Sequence, residues 1–257
     1  MSDHAQPKLE MATLNRRLRR SHQIVADLHA EIVRFHGPIL PRGKNGDQYV
    51  PVVFEKAPSA KGTIFSFAGL QAHGDRTDIE FGGLLAGIPY CKVYVKDYAQ
   101  CWYQHGLEGL GSTRIEAFRA LANAFKDLPR PWIAIGCSAG GYAALLAGAA
   151  MKADKVVAYC PQTHITRDVF VKFSQILPRS RNFKLRAPDN DLAHSLAELP
   201  PVPSDIHFGA KNETDASQAK RLGHLPQVAL YSHPIGSHNI AGYLRMNDCL
   251  LSTILEP

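Results

Sequence analysis

The chain has little of what marks several common protein classes. Its five cysteines are odd in number and show no metal-type spacing. That argues against a disulfide-stapled scaffold or a zinc module and suits reduced thiols in the cytoplasm. No signal-peptide core is expected near the N-terminus, because Arg16, Arg17, Arg19 and Arg20 interrupt the apolar residues there. The one long apolar stretch, 132–151, is broken by Gly136, Gly140 and Gly141. It therefore reads as a strand plus a helix and not as a membrane span. Repeats, charge blocks and Ser/Gly linkers are missing, so 1–257 reads as a single domain, a length α/β architectures commonly reach undivided. The net charge of +6 comes without an aromatic-interleaved basic patch or a binding motif, which argues against nucleic acid as a partner. No residue set calls for a metal or an organic cofactor, and no pattern fixes an oligomeric state.

What is present is enough apolar residue, 45%, to bury a sizeable core. Strand-like and helix-like segments alternate along the chain. Strands are expected near 49–54, 63–67, 92–96, 132–135, 156–159, 205–209 and 227–231. Helices are expected near 79–86, over 115–128 with Thr113 and Glu116 as a capping box, after 140, over 216–222 and from 240 onward. This alternation predicts an α/β fold, a mostly parallel sheet with helices on both faces.

The segment Gly136-Cys137-Ser138-Ala139-Gly140 carries the most information. A short β-branched run precedes it and an Ala/Leu-rich stretch follows it. Strand, sharp turn and helix form the context that a G-x-S-x-G nucleophile elbow requires. Such a turn lifts the Ser138 hydroxyl clear of the sheet and aims helix-start N–H groups at an oxyanion. Cys137 beside it reads as a packing residue.

With this elbow the chain resembles the α/β-hydrolase superfamily, which orders its triad as Ser, then Asp or Glu, then His. The resemblance implies an acid after the penultimate strand, where Glu213 and Asp215 share a polar loop. Asp215 is favoured as the shorter carboxylate, with an N-cap role alongside Gln218 as its structural alternative. It also implies a histidine after the last strand, where His238 is favoured over His233. The oxyanion hole would combine the Ala139 N–H with one from Leu70 or Gly69, although no His-Gly precedes that loop as it does in lipases. Asp97, just past a strand, reads as a loop-fixing carboxylate. Relative to fuller members, the first antiparallel strands look reduced.

Two regions fall outside the alternation. One is an N-terminal basic helix expected at about 12–36. The other is a lid-like insertion of about 162–203 before the penultimate strand. It offers Phe170, Phe173, Ile176 and Leu177 as an apolar wall, with Arg179, Arg181, Lys184 and Arg186 as a rim suited to an anionic substrate. Trp102-Tyr103 with Gly106 and Gly109, then 138–142, then Pro161-Gln162-Thr163, resemble bacterial hydrolases associated with surface-polysaccharide biosynthesis. That similarity implies an acyl ester on a saccharide, with Trp102 and Tyr103 as substrate contacts or, alternatively, as core or pocket-wall aromatics, while Arg179 and Arg181 of the basic rim are the further candidate substrate contacts. The expected function is a serine esterase using Ser138, Asp215 and His238 on a small-molecule or saccharide ester. The alternatives are an acyltransferase built on the same residues and a non-catalytic binding protein on a hydrolase fold.

Overall fold

In the computed structural model, residues 51–70, 79–169 and 190–256 are described. They all fall within one compact unit, Leu40–Pro257. The basic helix expected at 12–36 and the core of the expected insertion, Arg179 and Arg181 included, lie outside the described residues.

The architecture is a sheet wrapped by helices. Strands β1 (Val52–Glu55), β2 (Thr63–Phe67), β3 (Cys91–Val95), β4 (Trp132–Cys137), β5 (Lys155–Tyr159), β6 (Ser204–Gly209) and β7 (Val228–His233) form a 7-stranded sheet among the described residues. Its order is β1-β3-β2-β4-β5-β6-β7. Only β1 runs antiparallel, against β3, and the remaining pairings are parallel. Among the described residues β1 is the one antiparallel strand, and residues 1–50, on which the expected reduced antiparallel start also depends, lie outside them.

The central strands are continuous apolar runs because both of their faces are covered. Phe65 and Phe67, Val93 and Val95, Trp132 and Ala134, and Val156 and Ala158 point to one core. Helices α2 (Arg114–Ala124) and α3 (Ala139–Met151), α4 (Leu192–Ala197) and α5 (Glu213–Lys220) contribute to that face. The alternate residues Ile64, Tyr94, Ile133, Ile135, Val157 and Tyr159 point the other way. There they meet Leu85 of α1 (Gly82–Leu85), Ile240 and Leu244 of α6 (Ile240–Met246), and Leu250 and Ile254 of α7 (Leu250–Leu255). Helix α3 is buried almost all round, so its sequence has no polar face, and its alanines and glycines let it lie close on β4 and β5. Among the described residues no helix is long and apolar enough to cross a membrane.

Parallel strands joined by helices end on the same edge of the sheet. Cys137 pairs with Tyr159, Tyr159 with His207, and Gly209 with His233, so the turns after β4, β5, β6 and β7 gather at one rim. That rim is where ligands bind in open α/β sheets.

Helix α2 starts as the sequence predicts. The Thr113 hydroxyl accepts from the Glu116 N–H, and the Glu116 carboxylate accepts from the Thr113 N–H. Losing this cap by Thr113→Ala should cost about 1 kcal/mol. That lowers Tm by about 2–4 °C for a domain of this size, with the fold retained. Thermal unfolding measures the shift, and an unchanged Tm would show that the box adds nothing to stability.

Candidate active site

The turn between β4 and α3 is strained at Ser138, whose φ of 57° and ψ of −118° put a non-glycine residue in a region L-residues avoid. Such a conformation costs about 1–3 kcal/mol and survives only where its surroundings over-determine it. Here the Ser138 N–H donates to the Tyr159 carbonyl at 2.8 Å, and the Ser138 carbonyl accepts from the Tyr142 N–H at 3.0 Å. The flanking glycines are required by contact. A Cβ on Gly136 would stand 2.1 Å from the Gly140 carbonyl oxygen, and one on Gly140 would stand 2.1 Å from the Phe67 carbonyl oxygen. Ala139 opens α3, and N–H groups of a first helical turn have no partner inside the helix.

At the same rim, His238 meets Asp215. His238 Nδ1 lies 2.8 Å and 3.0 Å from the two carboxylate oxygens of Asp215. Asp215 is buried, whereas the His238 side chain is 45% exposed, which leaves the ring open to a substrate. The N-cap alternative for Asp215 is corrected by the structure. Asn212 is the N-cap of α5, its side chain accepting from the Asp215 N–H at 3.2 Å, and Asp215 sits in the first turn. A carboxylate there faces the positive end of the helix dipole. Gln218, the expected box partner, instead accepts from the His164 N–H at 2.8 Å. Glu213 is exposed at the helix start. His233, the rival histidine, has its Nε2 3.1 Å from His207 Nδ1. Burial lowers the pKa of both of these rings, that of His207 to about 4 with help from His233 and Lys155.

The loop after β2 lies against the elbow, and its donors are unequal. The Ala68 N–H donates to the Val95 carbonyl at 2.9 Å, and the Gly69 N–H to Glu80 Oε2 at 2.5 Å. The Gly69 N–H, one of the two expected donors, is therefore already committed to Glu80.

Trp102 and Tyr103, expected to contact substrate, are both 0% exposed. Trp102 Nε1–H donates to Gln162 Oε1 at 2.5 Å, and the Tyr103 hydroxyl reaches the Ala68 and Val95 carbonyls at 2.9 and 3.0 Å. They act as core supports under the rim and not as its wall. Sequence could not separate the two cases, since an aromatic pair on a loop serves either. Asp97 fixes that loop as expected, accepting from the Cys101 and Tyr103 N–H groups at 2.7 and 2.8 Å, with its carboxyl pushed up by burial.

Two residues of this region escaped the sequence reading. One is Glu80. The other is Cys160, which follows β5 with a φ of 44°. Its thiol lies within 4.8 Å of the Asp215 and His238 ligand atoms, the one Cys/Asp/His cluster of metal-ligating type among the described residues. Burial, and then the neighbouring Asp215 carboxylate, push the Cys160 thiol far up. A metal would have to displace that proton and the one between His238 and Asp215, so the set is better suited to hydrogen bonding. Burial likewise raises the Cys137 thiol, as suits a packing residue.

The geometry predicts that Asp215→Asn lowers turnover on the order of 10⁴, through the wrong imidazole tautomer, while Glu213→Gln leaves it unchanged. Steady-state kinetics with melting curves for both variants check this. Wild-type turnover in Asp215→Asn would remove the carboxylate from the reaction.

No family model matches the chain, and no curated protein matches it. Solved structures do match in fold. A capsule O-acetyltransferase of Neisseria meningitidis serogroup A superposes with a TM-score of 0.59 at 15% identity, over 86% of this chain and 99% of that one. MPT51 of Mycobacterium tuberculosis gives 0.54 at 16%, over 84% and 97%. A dienelactone hydrolase from Anabaena variabilis gives 0.50 at 14%, over 84% and 93%. The chain has the α/β-hydrolase fold.

Proposed function

We propose that the chain is a serine hydrolase that cleaves a carboxylic ester through an acyl-enzyme, with Ser138 as nucleophile, His238 as general base and acid, and Asp215 as its orienting acid. The observation that carries this reading is the strained Ser138 at the rim where His238 and Asp215 are hydrogen-bonded. A fold does not imply an activity, and these side chains are what support this one.

In the first half-reaction Ser138 Oγ attacks the ester carbonyl carbon as its proton passes to His238 Nε2. The carbonyl π pair moves onto oxygen, which the Ala139 and Leu70 N–H groups hold. The tetrahedral adduct collapses, the C–O bond to the alcohol breaks, and His238 returns the proton to the leaving oxygen. In the second half, water attacks the acyl carbon with His238 Nε2 again taking the proton, the acyl C–Oγ bond breaks as His238 returns that proton to Ser138 Oγ, and the carboxylic acid leaves. Throughout, Asp215 accepts from Nδ1–H and stabilises the imidazolium.

A second reading differs only in the second acceptor. If a sugar hydroxyl replaces water, the same residues make an acyltransferase acting on a saccharide. The O-acetyltransferase among the structural neighbours and the resemblance of 102–109, 138–142 and 161–163 favour keeping it. Arg179 and Arg181 belong to this reading as a rim for an anionic substrate.

A panel of short p-nitrophenyl esters, thioesters and acetylated sugars, with and without an acceptor sugar, tests both. Ser138→Ala should retain the fold and lose turnover by several orders of magnitude. Retention of more than about a tenth of wild-type activity would reject Ser138 as nucleophile. Products that appear only when an acceptor sugar is added would select the transferase. No turnover of any member by the wild type would favour the binding-protein alternative.

A further inference from the structure

Glu80 has no part in the chemistry above, yet it is tied to the loop on which that chemistry depends. Its carboxylate accepts from the Gly69 N–H at 2.5 Å. Its backbone carbonyl accepts from the Ser66 hydroxyl of β2 at 2.9 Å, so the residue is anchored at both ends. Phe81 follows at a φ of 64°, and its ring packs 5.8 Å from that of Tyr159. The loop it grips passes directly over the nucleophile turn. A Cβ on Gly69 would stand 2.9 Å from the Cys137 carbonyl oxygen, and one on Gly140 would stand 3.0 Å from the Gly69 nitrogen. A small displacement of this loop thus moves the backbone beside Ser138.

We propose that Glu80 is the positioning residue of the oxyanion loop, taking the Gly69 N–H so that the Leu70 N–H is the one that meets the substrate oxygen opposite Ala139. The inference rests on the acyl-transfer reading of Ser138. Without Glu80, Gly69 and Leu70 would offer adjacent amides that point in different directions, and the loop could settle with the wrong one inward. A single bound carboxylate removes that ambiguity, and preorganised donors are worth most when they need no rearrangement during reaction.

The contact is also sensitive to protonation. Burial raises the Glu80 carboxyl to about 7, against the opposing effect of the Gly69 hydrogen bond. The titratable groups that feel its charge are the Tyr103 hydroxyl beneath the loop and the Cys137 thiol of β4, and burial keeps both neutral. Above pH 7 the carboxylate is charged and the bond to Gly69 is strong. Below it the carboxyl is protonated and the bond weakens.

Solution NMR of glycine-¹⁵N-labelled protein reads the contact without any turnover. The Gly69 amide proton should lie downfield at pH 8 and move upfield through a midpoint near 7, equally in wild type and in Ser138→Ala. In Glu80→Gln, whose amide oxygen still accepts, that titration should vanish while kcat stays within a few-fold of wild type. Glu80→Leu, which removes the acceptor, should lower kcat on the order of 10²-fold with KM little changed, since a misplaced donor acts on the transition state. A Gly69 amide that does not move between pH 5 and 9, or an unaltered kcat in Glu80→Leu, would overturn the proposal. If Glu80→Leu fails to fold, the NMR titration and Glu80→Gln still decide it. A fully active Ser138→Ala would instead reject the acyl-transfer reading and leave the Gly69 titration standing.

Discussion

The backbone at Ser138 is the constraint on which the rest of the site depends. A serine at φ 57° is unfavourable by itself and is held there from three sides. The register of β4 on β5 supplies the Tyr159 carbonyl to its N–H. The first turn of α3 takes its carbonyl, and the end of β2 closes over Gly140 so tightly that no side chain fits. The strain is offset by a core sealed on both faces of the sheet, and it keeps the hydroxyl at the rim.

That arrangement also explains why the other groups come from so far apart in sequence. Strand ends of a parallel sheet share an edge, so the turns after β4, β5, β6 and β7 are neighbours in space. Asp215 enters on the first turn of α5 and His238 on the loop before α6, and their 2.8 Å contact joins two separate connections. Burial of the carboxylate with exposure of the ring is a useful asymmetry. The acid is protected from water while the imidazole can still reach a substrate.

The elements with local signatures were legible in the sequence. The elbow could be read because glycine spacing, a β-branched run and an alanine-rich helix all fall within twenty or so residues, and the capping box at Thr113 is shorter still. The mostly parallel sheet expected from the alternation is the one observed, whereas its strand order had no signature in the sequence. The misread features depend on contacts between distant segments. Asp215 looked like a possible cap because Gln218 stands at the right spacing, yet Asn212 takes that place and Gln218 turns to His164, which is 54 positions away. For Trp102 and Tyr103 the sequence left substrate contact and core both open, and Gln162 and the ends of β2 and β3 draw them into the core. Glu80 and Cys160 carry no motif at all, since their significance comes only from what folding places beside them.

Everything proposed for this rim turns on Ser138 being its activated nucleophile. Intact-mass and peptide mass spectrometry after treatment with a fluorophosphonate tests it most directly, because the reagent needs an activated serine and no knowledge of the natural substrate. The expected result is a single adduct per chain, mapped to the peptide that carries Ser138 and abolished by prior denaturation. A folded protein left unmodified, or an adduct on another residue with Ser138 untouched, would contradict it.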